Sequence, residues 1–517
     1  MTGGALGITT FIPVVVCRAD GFSILELPLM STDSISLIET GIPRLDCLLG
    51  GGIPARHSLI VTGDPGTGKT VLCSQIAFSL AARDTSVVLA TLASEAQEKL
   101  ISALSGFSFF DANRVGNELF FVSAYPWVQK GPKDAKDLLL KTVRERRAKL
   151  LFIDGLRSLR DLWQDEAKLR GFLYELNVGL AQLNAVGLLT TEYPLAKLME
   201  YPEATTVDGI VSLRARNFSG RVVRRIQVAK LRGRAHLGGE HLLHIAQEGI
   251  VIVPRLEETT HADQGFQPST TRYAFGLPAF DGMINGGLPA MSTTLMAGST
   301  GAGKTLLGMQ FIAAGAAHGE PGLLINYSEP VGRLVARAKA VSIDVEPLSR
   351  AGSLHIRYRP ATNCEGDELI AEILQLTRDL NIKRLVIDGV GDLESSILEK
   401  ERVRGLLMSL IVQLRDHGVT TVFIKEVPKL AGPDVDFSDT PVSVTAENML
   451  FFRQVELRGR LHRIASVLKM RESAYDPYVR EFEITGEGIS VLGPLPAAEG
   501  LLTGVARYLP LEGQAAP

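Results

Sequence analysis

Short apolar runs recur along the chain, separated by longer stretches with helical periodicity. HSLIVTG (57–63), SVVLATL (86–92) and LLFID (150–154) predict strands. KTVLCSQIAFSLAA (69–82), the charged stretch 134–149 and residues 165–184 predict helices, and VGLLTTEY follows the last of these as a further strand. Strands this apolar are covered on both faces. Their alternation with helices therefore predicts an α/β fold with a mainly parallel central sheet flanked by helices. The pattern then changes. Residues 205–253 and 443–492, with RRIQVAKLRG and HRIASVLKMRE, read as β-hairpins bounded by turns.

The pattern also repeats. GIPRLDCLLGGGIPA (41–55) returns as GLPAFDGMINGGLPA (276–290), and GDPGTGKT (63–70) returns as GSTGAGKT (298–305), both 235 residues later. LLFIDG (150–155) is answered by RLVIDG (384–389), 234 residues on, and AKLRG (229–233) by LKMRE (468–472), 239 residues on. Four landmarks in one order at nearly constant spacing mean two copies of one domain. The copies are placed at 31–255 and 272–496. The polar, proline-containing stretch 256–271 between them has linker composition. Residues 1–30 read as an amino-terminal arm, and 497–517 as a flexible tail.

Composition narrows the function classes. A chain of 517 residues with 45% apolar and 21% charged positions can bury large cores. Its 54 Lys+Arg against 57 Asp+Glu give −3, so no global basic field holds nucleic acid or anionic lipid. The basic stretches KTVRERRAK (141–149) and RVVRR (221–225) lack interleaved aromatics and read as solvated faces. Four scattered cysteines without a CxxC pair exclude a zinc ribbon or redox dithiol, and His236, His241 and His244 have no Cys or carboxylate to complete a metal site. The apolar run 11–16, broken by Pro13, is too short for a bilayer, which needs about 20 residues. A cytoplasmic location is expected, with no membrane partner.

The chemistry concentrates in the two glycine-rich loops. Gly63, Asp64, Pro65, Gly66, Thr67, Gly68, Lys69 and Thr70 match G-x-x-x-x-G-K-[ST], as do Gly298, Ser299, Thr300, Gly301, Ala302, Gly303, Lys304 and Thr305. Each loop follows a strand and opens a helix, beginning with Val71 and Leu306 after the motif. Glycines let the backbone N–H groups face phosphate oxygens, and the helix dipole adds to this. Lys69 and Lys304 would reach the β- and γ-phosphates of ATP, and Thr70 and Thr305 would give hydroxyls to Mg²⁺. Asp154 and Asp388 each end an apolar strand, where a carboxylate holds the Mg²⁺ shell. Glu95 and Glu329 are the candidate catalytic carboxylates, each after a serine, Ser94 and Ser328. Lys230 with Arg232, and Lys469 with Arg471, are spaced to share one strand face. Such a cation pair suits phosphate neutralisation across a subunit boundary.

With these residues in view, the chain resembles the KaiC family of RecA-superfamily ATPases over residues 34–492. The resemblance rests on LDCLLGGGIP and FDGMINGGLP, the paired phosphate loops and acidic strand ends, VAKLRGRAH, and VELRGRLHRIASVLKMRESAYDPYVREFEIT. RecA and RadA share the core but not that ending. The resemblance implies a double-ring homohexamer with ATP at subunit interfaces. It also places Lys230, Leu231, Arg232 and His236, and Lys469 with Arg471, against a neighbour's nucleotide.

Three departures qualify it. The family has two adjacent glutamates where this chain has Ser94-Glu95 and Ser328-Glu329, so the first is lost. The family's adjacent Ser-Thr phosphoacceptors fall on Ser443 and Val444, with Ser438 at a further threonine position, so one acceptor hydroxyl of that pair is kept. The tail after Ile484 diverges, which argues against docking of a KaiA-like protein. The expectation is an ATP-hydrolysing ring, with serine autokinase activity at Ser443 as an added capacity, and with itself and signalling proteins of unknown identity as partners. A nucleotide-regulated scaffold with little hydrolysis competes with it. A RecA/RadA-like DNA-dependent ATPase is the third reading.

Overall fold

The computed structural model describes residues 10–18, 21–29 and 36–508, apart from 93–96, 219, 261–268, 362–363, 428–440, 458, 472, 495–497 and 503–506. The chain divides into two compact units, Met1–Thr259 and Thr260–Pro517. Each is built on one nine-stranded sheet, and the two sheets have the same strand order.

In the first unit the strands are β1 (Ser58–Thr62), β2 (Val87–Thr91), β3 (Leu119–Ser123), β4 (Leu150–Asp154), β5 (Val186–Thr191), β6 (Gly209–Phe218), β7 (Arg221–Leu231), β8 (His241–Ala246) and β9 (Gly249–Val253). Their spatial order is β3-β2-β4-β5-β1-β6-β7-β8-β9. The first six are mutually parallel. From β6 onward the hairpins continue the same sheet as antiparallel strands. The principal helices are α1 (Lys69–Ala81), α2 (Pro132–Arg146) and α3 (Glu166–Gln182). The second unit repeats this plan with β10 (Thr293–Gly298), β11 (Gly322–Asn326), β12 (Leu354–Tyr358), β13 (Arg384–Asp388), β14 (Thr420–Glu426), β15 (Asn448–Leu457), β16 (Arg460–Met470), β17 (Arg480–Thr485) and β18 (Gly488–Pro494). Its order is β12-β11-β13-β14-β10-β15-β16-β17-β18. Its helices include α4 (Lys304–Ala317), α5 (Gly366–Asp379) and α6 (Val403–Asp416).

The central strands are buried along their length because helices cover both faces: every residue of β1, β2, β10 and β11 is buried. Apolar cores fill the two faces, one around Phe78, Phe152 and Leu188 and another around Leu151, Phe172 and Leu176. In the second unit Phe275, Phe311 and Phe452 occupy the place of the first of these. α1 and α4 lie in the sheet–helix interior rather than at its rim, so both are apolar on most sides.

The parallel arrangement gathers the carboxyl ends of β1, β4 and β5 along one sheet edge, where ligands of open α/β sheets bind. The predicted strands and helices are present to within a few residues. Strand β3 and helix Gln97–Leu104 were not foreseen.

Short elements also lie towards the two ends of the chain. Thr10–Arg18 and Gly21–Leu29 pair as an antiparallel hairpin. A two-stranded ribbon has only edge strands, so it tolerates Pro13 and Pro28. Past residue 497, Leu501 is buried with Val455, Leu457 and Ile464, and Arg453 donates to the Leu502 carbonyl at 2.6 Å. The start of the expected tail is thus packed onto β15–β16. Among the described residues no helix is long and apolar enough to cross a membrane.

Candidate phosphate-binding sites

Upstream of each loop one buried carboxylate ties down the turn that leads into a short helix. Asp46 accepts the Thr40 amide at 2.8 Å, and Asp281 accepts the amides of Phe275 at 2.7 Å and Leu277 at 2.9 Å. Burial raises both carboxyls, and these amide bonds pull the other way. This is the chemistry behind the repeated LDC and FDG.

β1 runs into the first loop and β10 into the second. The opening glycines lie flat against the neighbouring strand. A Cβ on Gly63 would stand 2.1 Å from the Leu213 carbonyl oxygen, and one on Gly298 would stand 1.9 Å from that of Phe452. The closing glycines, Gly68 and Gly303, are left-handed and start α1 and α4. The tips, Asp64–Gly66 and Thr300–Gly301, are exposed, whereas Thr67 and Ala302 are buried beneath them. Lys69 and Lys304 fold over their own loops. Lys69 Nζ donates to the carbonyls of Gly63 (2.8 Å) and Asp64 (3.0 Å). Lys304 Nζ donates to those of Gly298 (2.9 Å) and Ser299 (2.8 Å). Burial lowers both ammonium pKa values. Opposing this are Glu192, Asp154 and Asp64 around Lys69, and Glu426 and Asp388 around Lys304.

Val71 and Leu306 occupy the first turn of their helices. Beside it, Thr70 Oγ1 donates to Asp154 Oδ2 at 3.2 Å, and Thr305 Oγ1 to Asp388 Oδ2 at 2.8 Å. The loop threonine and the strand-end aspartate, 84 and 83 residues apart in sequence, therefore meet in both copies. The supports differ. Thr190 donates to Asp154, whereas Asn326 Nδ2 donates to Asp388 at 3.1 Å. Burial pushes the Asp388 carboxyl up, against the pull of Thr305, Lys304 and Asn326. The oxygens are hard donors of the kind that take a small divalent cation, and in the second loop Ser299 Oγ is buried without a hydrogen bond.

Glu95 and Ser94 lie outside the described residues. Glu329 is described: its amide and that of Ser328 cap Asn326 Oδ1 at 2.6 and 3.0 Å. Its carboxylate pairs with Arg337 at 2.6 Å, and its Oε2 is buried without a hydrogen bond. Two carboxylates were missed. Glu192 follows β5 and Glu426 ends β14, 234 residues apart at matched positions, both exposed. Glu426 stands abreast of Gly298, and each faces its loop lysine. Their signal was the repeat itself, TTEYP against FIKEVP.

Lys230 and Arg232 both reach the segment around the short helix Glu203–Thr206. Lys230 Nζ donates to the carbonyls of Ala204 (2.8 Å) and Val207 (2.6 Å), and Arg232 to that of Thr205 (2.9 Å). In the second copy Lys469 Nζ donates to the Ala446 carbonyl at 2.7 Å, and Arg471 is exposed. A β-bulge precedes each lysine, where Ile210 faces Lys230 but Val211 faces Val228, and Met449 faces Lys469 but Leu450 faces Val467. Bulges re-aim side chains beside active sites, and sequence alone did not show these. The Leu231 side chain is part of the core, while His236 is half-buried. Ser443 lies on helix Pro441–Thr445 and is 9% exposed. Ser438 lies outside the described residues, as does the side chain of Val444.

Comparison with known proteins bears on this arrangement. The family model described as "ATPase: KaiC" matches residues 38–257 and again 274–495. The circadian clock protein KaiC3 of Synechocystis sp. is 28% identical over 501 residues, covering 92% of this chain and 96% of that protein. The circadian clock oscillator protein KaiC of Nostoc sp. is 28% identical over 499 residues, with 92% of each chain covered. That of Thermosynechococcus vestitus is 27% identical over 493 residues, again with 92% of each covered. Two matched domains, each with a glycine loop, a lysine and a threonine–aspartate contact, account for most of the chain, which therefore belongs to the KaiC family of ATPases.

Proposed function

We propose that this chain binds ATP with Mg²⁺ at both loops and hydrolyses it within a ring of identical subunits. The observation that carries the reading is the threonine–aspartate contact beside a buried lysine, built twice by one sheet topology. Thr70 with Asp154, and Thr305 with Asp388, would hold Mg²⁺, which when bound draws charge from the β- and γ-phosphates. Lys69 and Lys304 exchange their loop carbonyls for phosphate oxygens. The remaining loop residues, Gly63–Gly68 and Gly298–Gly303, present backbone N–H groups to the phosphates. Water attacks the γ-phosphorus in line and ADP leaves. Glu95 or Glu329 orients the water, and Glu329 must first release Arg337. Lys230 and Arg232, with Lys469 and Arg471, stabilise the developing charge on a neighbouring subunit's nucleotide.

Ser443 is the acceptor in a second reaction, in which its hydroxyl replaces water. Because it is 9% exposed, helix Pro441–Thr445 must open before the oxygen reaches a phosphate.

A scaffold reading, with nucleotide bound but turned over slowly, is favoured by one observation: Ser328 stands where the family has its first glutamate, and Glu329 beside it is engaged by Arg337.

The test uses γ-labelled ATP and Mg²⁺, counting free phosphate and label retained on the protein, with Lys69→Ala and Lys304→Ala alongside. Free phosphate that falls in each variant supports hydrolysis at both loops. Retained label lost with Lys304→Ala supports the autokinase. Bound nucleotide with neither signal overturns hydrolysis and leaves the scaffold.

A further inference from the structure

The turn that Lys230 and Arg232 grip is also held from the opposite side. Glu203, the first residue of helix Glu203–Thr206, is 2% exposed. Its two carboxylate oxygens each accept from Arg160 Nη2 at 2.7 Å, and Oε1 also accepts from Nε at 3.1 Å. Arg160 lies on helix Leu156–Trp163, which starts two residues beyond Asp154. Its guanidinium lies 3.8 Å over the Tyr201 ring and also holds Glu166 at 3.0 Å. Just after the turn, Asp208 accepts the amide of Ser58, the first residue of β1, at 3.0 Å. One short segment therefore touches three parts of the candidate site: the helix behind Asp154, the strand that feeds the phosphate loop, and the two cations.

The second domain keeps this frame without the ionic latch. Glu447 caps the Thr293 amide as Asp208 caps Ser58, and lies 239 residues on, as Lys469 does from Lys230. By the same count Val442, fully buried, stands where Glu203 stands, and Ser443 stands where Ala204 stands. The counterpart of Arg160, 234 residues on, is Glu394, which pairs with Lys425 at 2.8 Å. A bidentate arginine–carboxylate pair with its carboxylate buried is directional. Ion pairs of this kind are better attested as registry devices than as sources of stability.

We propose that the Arg160–Glu203 pair is a positioning device of the first domain. It fixes the 203–207 turn, and through that turn's carbonyls it sets Lys230 and Arg232 for charge neutralisation, coupled to the helix that leaves Asp154. The proposal rests on the reading of those cations given above, and its test separates the two.

The full-length chain is compared with Glu203→Gln and with Arg160→Leu/Glu203→Val, which removes both charges and copies the apolar contact at Val442. Lysines are acetylated with an N-hydroxysuccinimide ester and followed by peptide mass spectrometry. Lys230 labelling should rise about fivefold in both variants, the factor that one lost net hydrogen bond corresponds to. Lys469 labelling should not change. In a Lys304→Ala background, the kcat for ATP should fall about tenfold with KM within about twofold, the signature of a lost transition-state contact.

Unchanged Lys230 labelling in either folded variant overturns the positioning role. Raised labelling with unchanged kcat overturns the coupling. A Lys230→Ala variant with parental kcat overturns instead the reading of the cations, while labelling still decides the latch. If Glu203→Gln loses its melting transition, the charge-free double variant carries the test.

Discussion

Gly298→Ala tests whether the phosphate loop is seated by backbone contact alone. An added Cβ would lie 1.9 Å from the Phe452 carbonyl oxygen, 2.7 Å from its carbon and 3.0 Å from its nitrogen. Ordinary contact begins at 3.4 Å, so loop and strand must separate by about 1.5 Å. Phe452 cannot yield. It is 1% exposed, paired to Gly298 within the parallel sheet, and its ring packs against Phe280 and Phe482. The loop must move instead, which breaks the Ser299 N–Phe452 O bond of 3.2 Å. Overpacking costs about 1–3 kcal/mol, and an orphaned buried polar group about 1–3 kcal/mol more. The expected loss of stability is therefore about 2–6 kcal/mol. A loop displaced by more than 1 Å should also weaken turnover by about 10²-fold. The control is Gly301→Ala, where among the described residues the neighbour within 4 Å is Gln454 Nε2 at 3.5 Å, and the cost is that of a positive φ, about 1–2 kcal/mol. Urea unfolding and titration with a fluorescent ATP analogue would measure both effects. If Gly298→Ala costs no more than Gly301→Ala, or binds nucleotide like the parent, the close-approach argument is wrong.

Three further outcomes are expected. The buried Asp388 carboxyl is raised above its ordinary value, so its contribution to stability is full below the unfolded pKa and is lost as pH rises through the folded one. Nucleotide-free Asp388→Asn should melt with a shallower fall in stability above about pH 4 while binding Mg-ATP more weakly than the parent. A pH profile identical to the parent's would contradict the burial argument. Restoring the family glutamate with Ser94→Glu and Ser328→Glu should raise turnover severalfold if hydrolysis is limited by the lost carboxylate, and Ser328 is exposed, so the longer side chain fits. Unchanged phosphate release would show that another step limits. Glu192→Gln and Glu426→Gln remove the carboxylates that face Lys69 and Lys304. If these now do the lost glutamate's work, kcat should drop by about 10²-fold, whereas parental turnover would remove them from the site.

The sequence by itself determined the repeat and the parallel sheet with helices on both faces, and it pointed to Thr70 with Asp154 and Thr305 with Asp388 as matched loop and strand-end residues. These were legible because each rests on local pattern: apolar runs of strand length, a glycine spacing that only a strand-to-helix turn satisfies, and an acidic residue closing a strand. The family's lost glutamates were equally plain, since identity at one position needs no coordinates. What was not legible depends on contacts between distant segments. Whether Glu329 is free or held by Arg337 is decided by where α4's neighbouring helix Val331–Lys339 packs. Glu192 and Glu426 become site residues because β5 and β14 lie beside the loop strands, and strand order is not written in any one strand. The bulges before Lys230 and Lys469 are a mismatch between two strands, so neither strand announces them. Arg160 and Glu203 are 43 residues apart, and only the fold brings them together with the carboxylate buried. The local code set which chemistry is present, and the tertiary structure chose which charges come close enough to act on one another.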